Sequence, residues 1–350
     1  MSIIIGTFRI LPMALPSFSY LQCSFAGMDF ILRIETALLS PAILSGNRIL
    51  ETMPAPAFCQ AVPAPYFEAI EGNKLYKLAY YLENLASLPP AKRIWSYGSA
   101  QSNAMLALSA LAQLMGTEFH YVLPYLADAL KTQPKGNLAL ALDRGMQLHI
   151  DSKLYRRMTQ QAFVPGEHEW IFAEGANHAH VAHGFGYLGA EISEIAGTLG
   201  FKQVFLPSGT GSSACHLAAS LSGMEVMTTP VYGDTPYLQQ VFSAMQPQHH
   251  PVILTHEPHY RFGSLYRELW ELQAELVAET GISFDLLYDL PAWACILQHR
   301  ERFKQPWLYL HQGGMKGSAT MRERYVRMFG SERPSKAGAR SEIQGKAEVD

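Results

Sequence analysis

From Asn73 onward the apolar positions fall into a regular pattern. Leu75, Leu78, Ala79, Leu82 and Leu85 recur at the three- and four-residue spacing of one helical face, and Pro89-Pro90 ends the run. Arg93-Ile94-Trp95-Ser96-Tyr97 reads as a short buried strand, and Leu106, Leu108, Leu111 and Leu114 as a helix closed by Gly116. Further strands are predicted over 118–124, 146–150, 169–173, 202–206, 225–231, 251–255, 283–288 and 306–311. Helices are predicted between them over 136–144, 153–162, 180–197 (ending at Gly197), 212–222, 235–245, 264–279 and 291–302. Strand and helix taking turns over this length predict an α/β fold with mostly parallel sheets covered by helices on both faces. Such folds place ligands at the carboxyl ends of their strands.

The flanks are patterned differently. Residues 1–27 are apolar and aromatic but interrupted by Arg9, Pro12 and Pro16, and nothing basic precedes the apolar run. That is not the layout of a secretory leader, and the segment is expected to be an N-terminal extension, with Met28 an alternative start. Residues 40–70 are rich in proline and alanine and are expected to be mostly extended. Residues 331–350 are charged, small and without period, the composition of a disordered tail.

Composition narrows the function classes. At 350 residues the chain is long enough for a large core and two lobes. A net charge of -3 makes no electrostatic case for nucleic acid or an anionic membrane, and no apolar run reaches the length of a membrane span. Cys23, Cys59, Cys215 and Cys295 are scattered with no close pair, which fits a reducing cytoplasm rather than a disulfide scaffold. His178, His180 and His183 stand close together, but no nearby cysteine or aspartate completes a ligand set, and no metal is expected.

Three stretches carry candidate chemistry. Pro207-Ser208-Gly209-Thr210-Gly211-Ser212-Ser213 lies between a predicted strand and helix. Its glycines let backbone N–H groups approach an anion, and the helix adds its positive end. It lacks the lysine of a nucleoside-triphosphate loop and the third glycine of a dinucleotide fingerprint, so a small monophosphate suits it best. A glycine turn with helix-capping serines is the plainer alternative. Gln101-Ser102-Asn103 forms a second strand-to-helix turn whose amides and hydroxyl suit a carboxylate or phenolate, or simply cap the next helix. The third is Glu71-Gly72-Asn73-Lys74, which by itself reads as a solvated helix start.

Taken in order, Gly72-Asn73-Lys74, Ser96 to Asn103, Ala173-Glu174-Gly175-Ala176-Asn177 and Ser208-Gly209-Thr210-Gly211-Ser212 resemble the 1-aminocyclopropane-1-carboxylate deaminase and D-cysteine desulfhydrase family. The resemblance covers roughly residues 70–315. It implies the tryptophan-synthase-β-like fold (fold type II), with a large domain of 28–87 and 181–330 and a small domain of 88–180. It implies pyridoxal 5′-phosphate as cofactor, a small amino acid as substrate and a homodimer. Residue by residue, Lys74 forms the Schiff base and moves the Cα proton, which needs an amine that is often neutral. Asn103 holds the phenolic oxygen, Ser102 binds the substrate carboxylate or relays a proton, and Gly209, Thr210, Gly211, Ser212 and Ser213 hold the phosphate. Tyr288 matches the family's late active-site tyrosine, and Asp289 falls where a residue contacts the pyridine nitrogen.

The chain also departs from the family. Ala61 to Phe67 replaces a basic and acidic stretch, Phe262 stands for a second tyrosine, Ala104 follows Asn103, and Leu290-Pro291 replaces a Gly-Lys pair. Two classes of function therefore remain open. One is a lyase or deaminase, D-cysteine desulfhydrase-like first and 1-aminocyclopropane-1-carboxylate deaminase second. The other is a cofactor-binding protein impaired in catalysis.

Overall fold

A computed structural model describes residues 15–46, 48–245 and 250–331. Most of the expected extension and nearly all of the expected tail lie outside the described residues. Eleven strands form two sheets among them. They are β1 (Phe18–Phe25), β2 (Met28–Glu35), β3 (Ile49–Met53), β4 (Arg93–Tyr97), β5 (Glu118–Leu123), β6 (Gln147–Ile150), β7 (Glu169–Ile171), β8 (Gln203–Ser208), β9 (Glu225–Pro230), β10 (Val252–Ile253) and β11 (Leu308–Leu310). The larger sheet runs β10-β9-β8-β11-β2-β1-β3 and the smaller β6-β5-β4-β7. Every pairing from β10 across to β2 is parallel, as is the whole smaller sheet, and only β2-β1-β3 is antiparallel. The α/β reading therefore holds. All six residues of β8 are buried, as a parallel strand covered on both faces requires.

Five helices frame the site: α1 (Asn73–Glu83), α2 (Asn103–Met115), α3 (Val181–Leu199), α4 (Ser212–Ser220) and α5 (Asp289–Gln298). The predicted helical face of α1 is its buried face, with Leu75, Leu78, Ala79 and Leu82 at 0–1 % exposure. It packs on α3 so closely that a Cβ on Gly184 would stand 1.7 Å from the carbonyl oxygen of Tyr76. Beneath this pair lies a buried ion pair. Arg33 Nε and Nη2 meet Glu191 Oε1 and Oε2 at 2.7 and 2.9 Å, with the hydroxyls of Tyr20 and Tyr76 on the same carboxylate. The pair ties β1 and β2 to α1 and α3. No helix among the described residues is long and apolar enough to cross a membrane.

The local expectations need several corrections. The last part of the expected extension is β1, paired with β2 along its whole length through a two-residue turn at Ala26-Gly27, both at positive φ (51° and 76°). Its alternation was hidden because both faces of the hairpin are largely buried. Residues 40–70 are not simply extended. They hold β3, a four-residue helix and two short 3-10 turns. The helix expected to stop at Gly197 runs on to a left-handed cap at Gly200. The strand expected over 283–288 is a turn, because Asp285 Oδ1 accepts the N–H groups of Leu287 and Tyr288 at 2.9 and 2.7 Å and bends the chain into α5. A final helix, Met315–Phe329, has no counterpart among the expectations.

Candidate active site

The carboxyl ends of β4 and β8 open onto one pocket. Its walls hold Lys74 from α1, Ser102 and Asn103 at the head of α2, Gly209, Thr210, Gly211 and Ser213 at the head of α4, and Tyr288 and Asp289 at the head of α5. Stretches more than 200 residues apart thus meet around one cavity. Of the expected site residues only Ser212 turns away, donating from Oγ to Asn177 Oδ1 at 2.8 Å. The amide of Gln101 is also diverted, to Lys135 O and Asn137 N at 3.0 Å each.

Lys74 enters the pocket one residue into α1, and its position is set by Gly72. Gly72 adopts φ +53°, and a Cβ there would stand 1.8 Å from the carbonyl oxygen of Gln312. Only glycine permits this approach, which lets Asn73 N–H donate to Gln312 O at 3.2 Å. The Asn73 side chain then joins the motifs together. Its Nδ2 donates to Ser213 Oγ and Gln312 Oε1, both at 2.8 Å, and its Oδ1 accepts from Lys74 Nζ at 2.9 Å. Gly72→Ala should therefore destabilise the protein by about 3 kcal/mol through overpacking and backbone strain, read as a lowered urea midpoint.

Burial lowers the Lys74 ammonium to about 8, so a substantial share of the amine is neutral near physiological pH. Trinitrophenylation of Lys74 should climb with pH to about 8 and level off above it. An ordinary exposed lysine would continue to climb toward about 10.4.

Lys77 was missed by the sequence reading. It follows Lys74 by three positions on the same helical face, a spacing that could have revealed it. It lines the pocket at 2 % exposure and donates from Nζ to Gly175 O at 2.9 Å. Burial, then the charge of Lys74, holds its ammonium well below the usual lysine range.

At the head of α4 the N–H groups of Gly209, Thr210 and Gly211 meet no acceptor among the described residues, and the first turn adds the free N–H groups of a helix start. Ser102 caps α2, accepting from Met105 N–H at 3.3 Å. Asn103 Oδ1 accepts from Asn137 Nδ2 at 2.7 Å, which leaves the Asn103 amide N–H group to donate.

At the floor lie two carboxylates, of which only Asp289 was expected. Asp289 Oδ1 accepts from Tyr309 Oη at 2.6 Å and Oδ2 from Asp285 N–H at 2.9 Å, with His311 Nε2 3.5 Å away. Gly313 N–H donates to His311 Nδ1 at 3.2 Å, so the neutral ring carries its proton on Nε2. Asp285 also accepts from Ser318 Oγ at 2.6 Å. Burial raises both carboxyls, and Asp289 raises Asp285 further, so the pair retains protons that exposed carboxyls release.

The three close histidines do not converge. His178 pairs with Lys77 O at 2.6 Å, His183 with Glu83 Oε2 at 2.5 Å, and His180 stacks on Tyr80 at 3.9 Å. No group of three or more metal-binding side chains occurs among the described residues.

The sequence matches no known family model and no curated protein. Solved structures do match it. An ACC deaminase homologue aligns at TM-score 0.63 and 16% identity over 91% of this chain and 95% of that one. A hydrogen sulfide-producing enzyme from Fusobacterium nucleatum aligns at TM-score 0.53 and 11% identity over 89% and 99%. Diaminopropionate ammonia lyase from Escherichia coli aligns at TM-score 0.52 and 10% identity over 94% and 90%. At these identities the likeness is one of fold, and the chain has the two-sheet, tryptophan-synthase-β-like architecture of fold type II.

Proposed function

We propose that the pocket holds pyridoxal 5′-phosphate and that the protein is a lyase or deaminase acting on a small amino acid. The observation that carries this reading is the meeting of three groups in one cavity: a lysine with a readily neutralised amine, a cradle of N–H groups that meet no acceptor among the described residues, and two buried carboxyl groups. The donor set fits the cofactor. Gly209, Thr210, Gly211 and Ser213, with Lys77 beside them, would hold the phosphate, and the Asn103 amide would hold the phenolic oxygen. Asp289, held by the Tyr309 hydroxyl and the Asp285 N–H and in its ionised form, would keep the ring nitrogen protonated.

The bound cofactor supplies an electron sink for bonds broken at the substrate Cα. Lys74 would be its attachment point, and a free, neutral Nζ would take the Cα proton of the substrate. Ser102 orients the substrate carboxylate. Tyr288, whose ring lies 3.0 Å from where a Cβ on Gly209 would stand, closes the wall over the cradle and offers its hydroxyl to the leaving group. D-cysteine desulfhydrase-like β-elimination to keto acid, ammonia and sulfide is the first reading. Deamination of 1-aminocyclopropane-1-carboxylate is the second. A cytoplasmic homodimer follows from the resemblance, and four free buried cysteines agree with a reducing compartment.

A cofactor-binding protein without turnover is favoured by one observation. The Phe262 ring packs on Tyr288 at 5.4 Å and brings no hydroxyl to that wall. Absorption spectroscopy separates the readings. The lyase takes up the cofactor, shifts its visible band with D-cysteine and releases sulfide. A coloured but unresponsive protein supports the second reading, and a colourless protein that takes up no cofactor overturns both.

A further inference from the structure

We propose that Glu174 is a cation-recognising residue beside this pocket and that the favoured substrate carries an ammonium group on its side chain. The inference builds on the cofactor site and reaction class proposed above, and within that class it favours a diamino acid over D-cysteine.

Glu174 follows β7 in a tight loop closed by the bridge between Ala173 and Asn177. Its neighbour Gly175 lines the pocket, with Lys77 on its carbonyl oxygen at 2.9 Å. The Glu174 side chain points the other way, toward the Gly98 turn that leads into Ser102. Its Oε1 stands 3.2 Å from where a Cβ on Gly98 would be, and Tyr121 Oη stands 2.5 Å from that same point. Tyr121 Oη in turn donates to Ser99 O at 3.3 Å. Glu174 thus stands behind the turn that carries the pocket-lining Ser102.

Aromatic residues surround this carboxylate. Tyr97 packs edge-on against Tyr155 at 5.7 Å. Tyr288, Phe262, Tyr232 and Tyr237 form a second chain of rings with centroid separations of 5.4, 5.7 and 6.2 Å. Burial first, with the nearby Glu174 charge adding to it, raises the hydroxyls of Tyr97, Tyr121, Tyr155, Tyr232, Tyr237 and Tyr288 above the usual tyrosine range. No described cationic side chain answers it. Burial alone raises the Glu174 carboxyl, and the neighbouring Lys77 is turned to Gly175 O.

A largely desolvated carboxylate without a partner is costly unless something completes it. A carboxylate among aromatic faces is the combination that holds an organic ammonium, through a charge-assisted hydrogen bond and cation–π contact. A neutral amino acid leaves Glu174 unanswered.

Equilibrium dialysis with radiolabelled 2,4-diaminobutyrate and homoserine tests this, since the two differ only in a terminal ammonium for a hydroxyl. Both enantiomers are measured, with and without added pyridoxal phosphate. The expected result is diaminobutyrate bound about ten-fold or more tighter by the wild-type protein, with the preference removed in Glu174→Gln and partly kept in Glu174→Asp. Cofactor uptake should be equal in all three proteins. Equal binding of the two amino acids by the wild type overturns the proposal without any variant, and so does a preference that survives Glu174→Gln. If no cofactor is taken up, the function proposed above fails, while the preference measured without cofactor still decides the role of Glu174.

Discussion

Lys74→Ala is expected to lower turnover by roughly 10³-fold or more, the scale on which removing a general acid–base group acts. The effect should fall on kcat rather than on cofactor recognition. The head of α4 and Lys77 lie outside the substitution, and the cradle N–H groups remain aimed into the pocket. The variant should therefore still take up the cofactor but lose it on dialysis, because the only link left is non-covalent. Lys77 is the internal comparison. Its amine is also kept below the usual range by burial, but it is committed to Gly175 O, whereas Lys74, among the described residues, donates to its neighbour Asn73 alone. Lys77→Met should weaken cofactor binding while leaving covalent attachment in place.

Glu191→Ala is expected to cost about 3–5 kcal/mol of stability, because it leaves the Arg33 charge buried without its partner. Arg33 is 2 % exposed, and Glu191 supplies both oxygens to it as well as accepting from Tyr20 and Tyr76. On a chain of this size such a loss lowers the thermal midpoint by roughly five degrees. Replacing both partners together, as Arg33→Met with Glu191→Met, should cost less than Glu191→Ala alone, since no charge is left stranded. A double variant less stable than the single one would show that the pair acts through something other than charge compensation. The link to the site is Tyr76, two residues beyond Lys74 on α1, so loosening this network should also loosen the lysine.

The legibility of this molecule in its sequence follows its physics. Helices with one buried face, such as α1, announce themselves by period, and strands buried on both faces, such as β8, by short apolar runs. The antiparallel β1-β2 hairpin did not, because burial on both faces erased the alternation that marks a half-exposed strand. The 283–288 stretch looked like a strand because its residues are apolar and aromatic. What decides its shape is the Asp285 side chain competing for the N–H groups of Leu287 and Tyr288, which no hydrophobic pattern encodes. At the site, backbone-dependent features were legible, since glycines and an anion cradle leave a sequence mark. Side-chain direction was not. Ser212 and Gln101 carry suitable chemistry and spend it on Asn177, Lys135 and Asn137. Lys77 and Asp285 do line the pocket, and each became visible only once a helix or turn set its direction.

The central claim is that Lys74 is the residue that holds pyridoxal phosphate covalently. Borohydride reduction of the cofactor-loaded protein, followed by peptide mass mapping, tests it directly. The expected result is a pyridoxyl phosphate modification on Lys74 alone, absent from Lys74→Ala. Modification of Lys77 instead, or no modification of a protein that has demonstrably bound the cofactor, would contradict it.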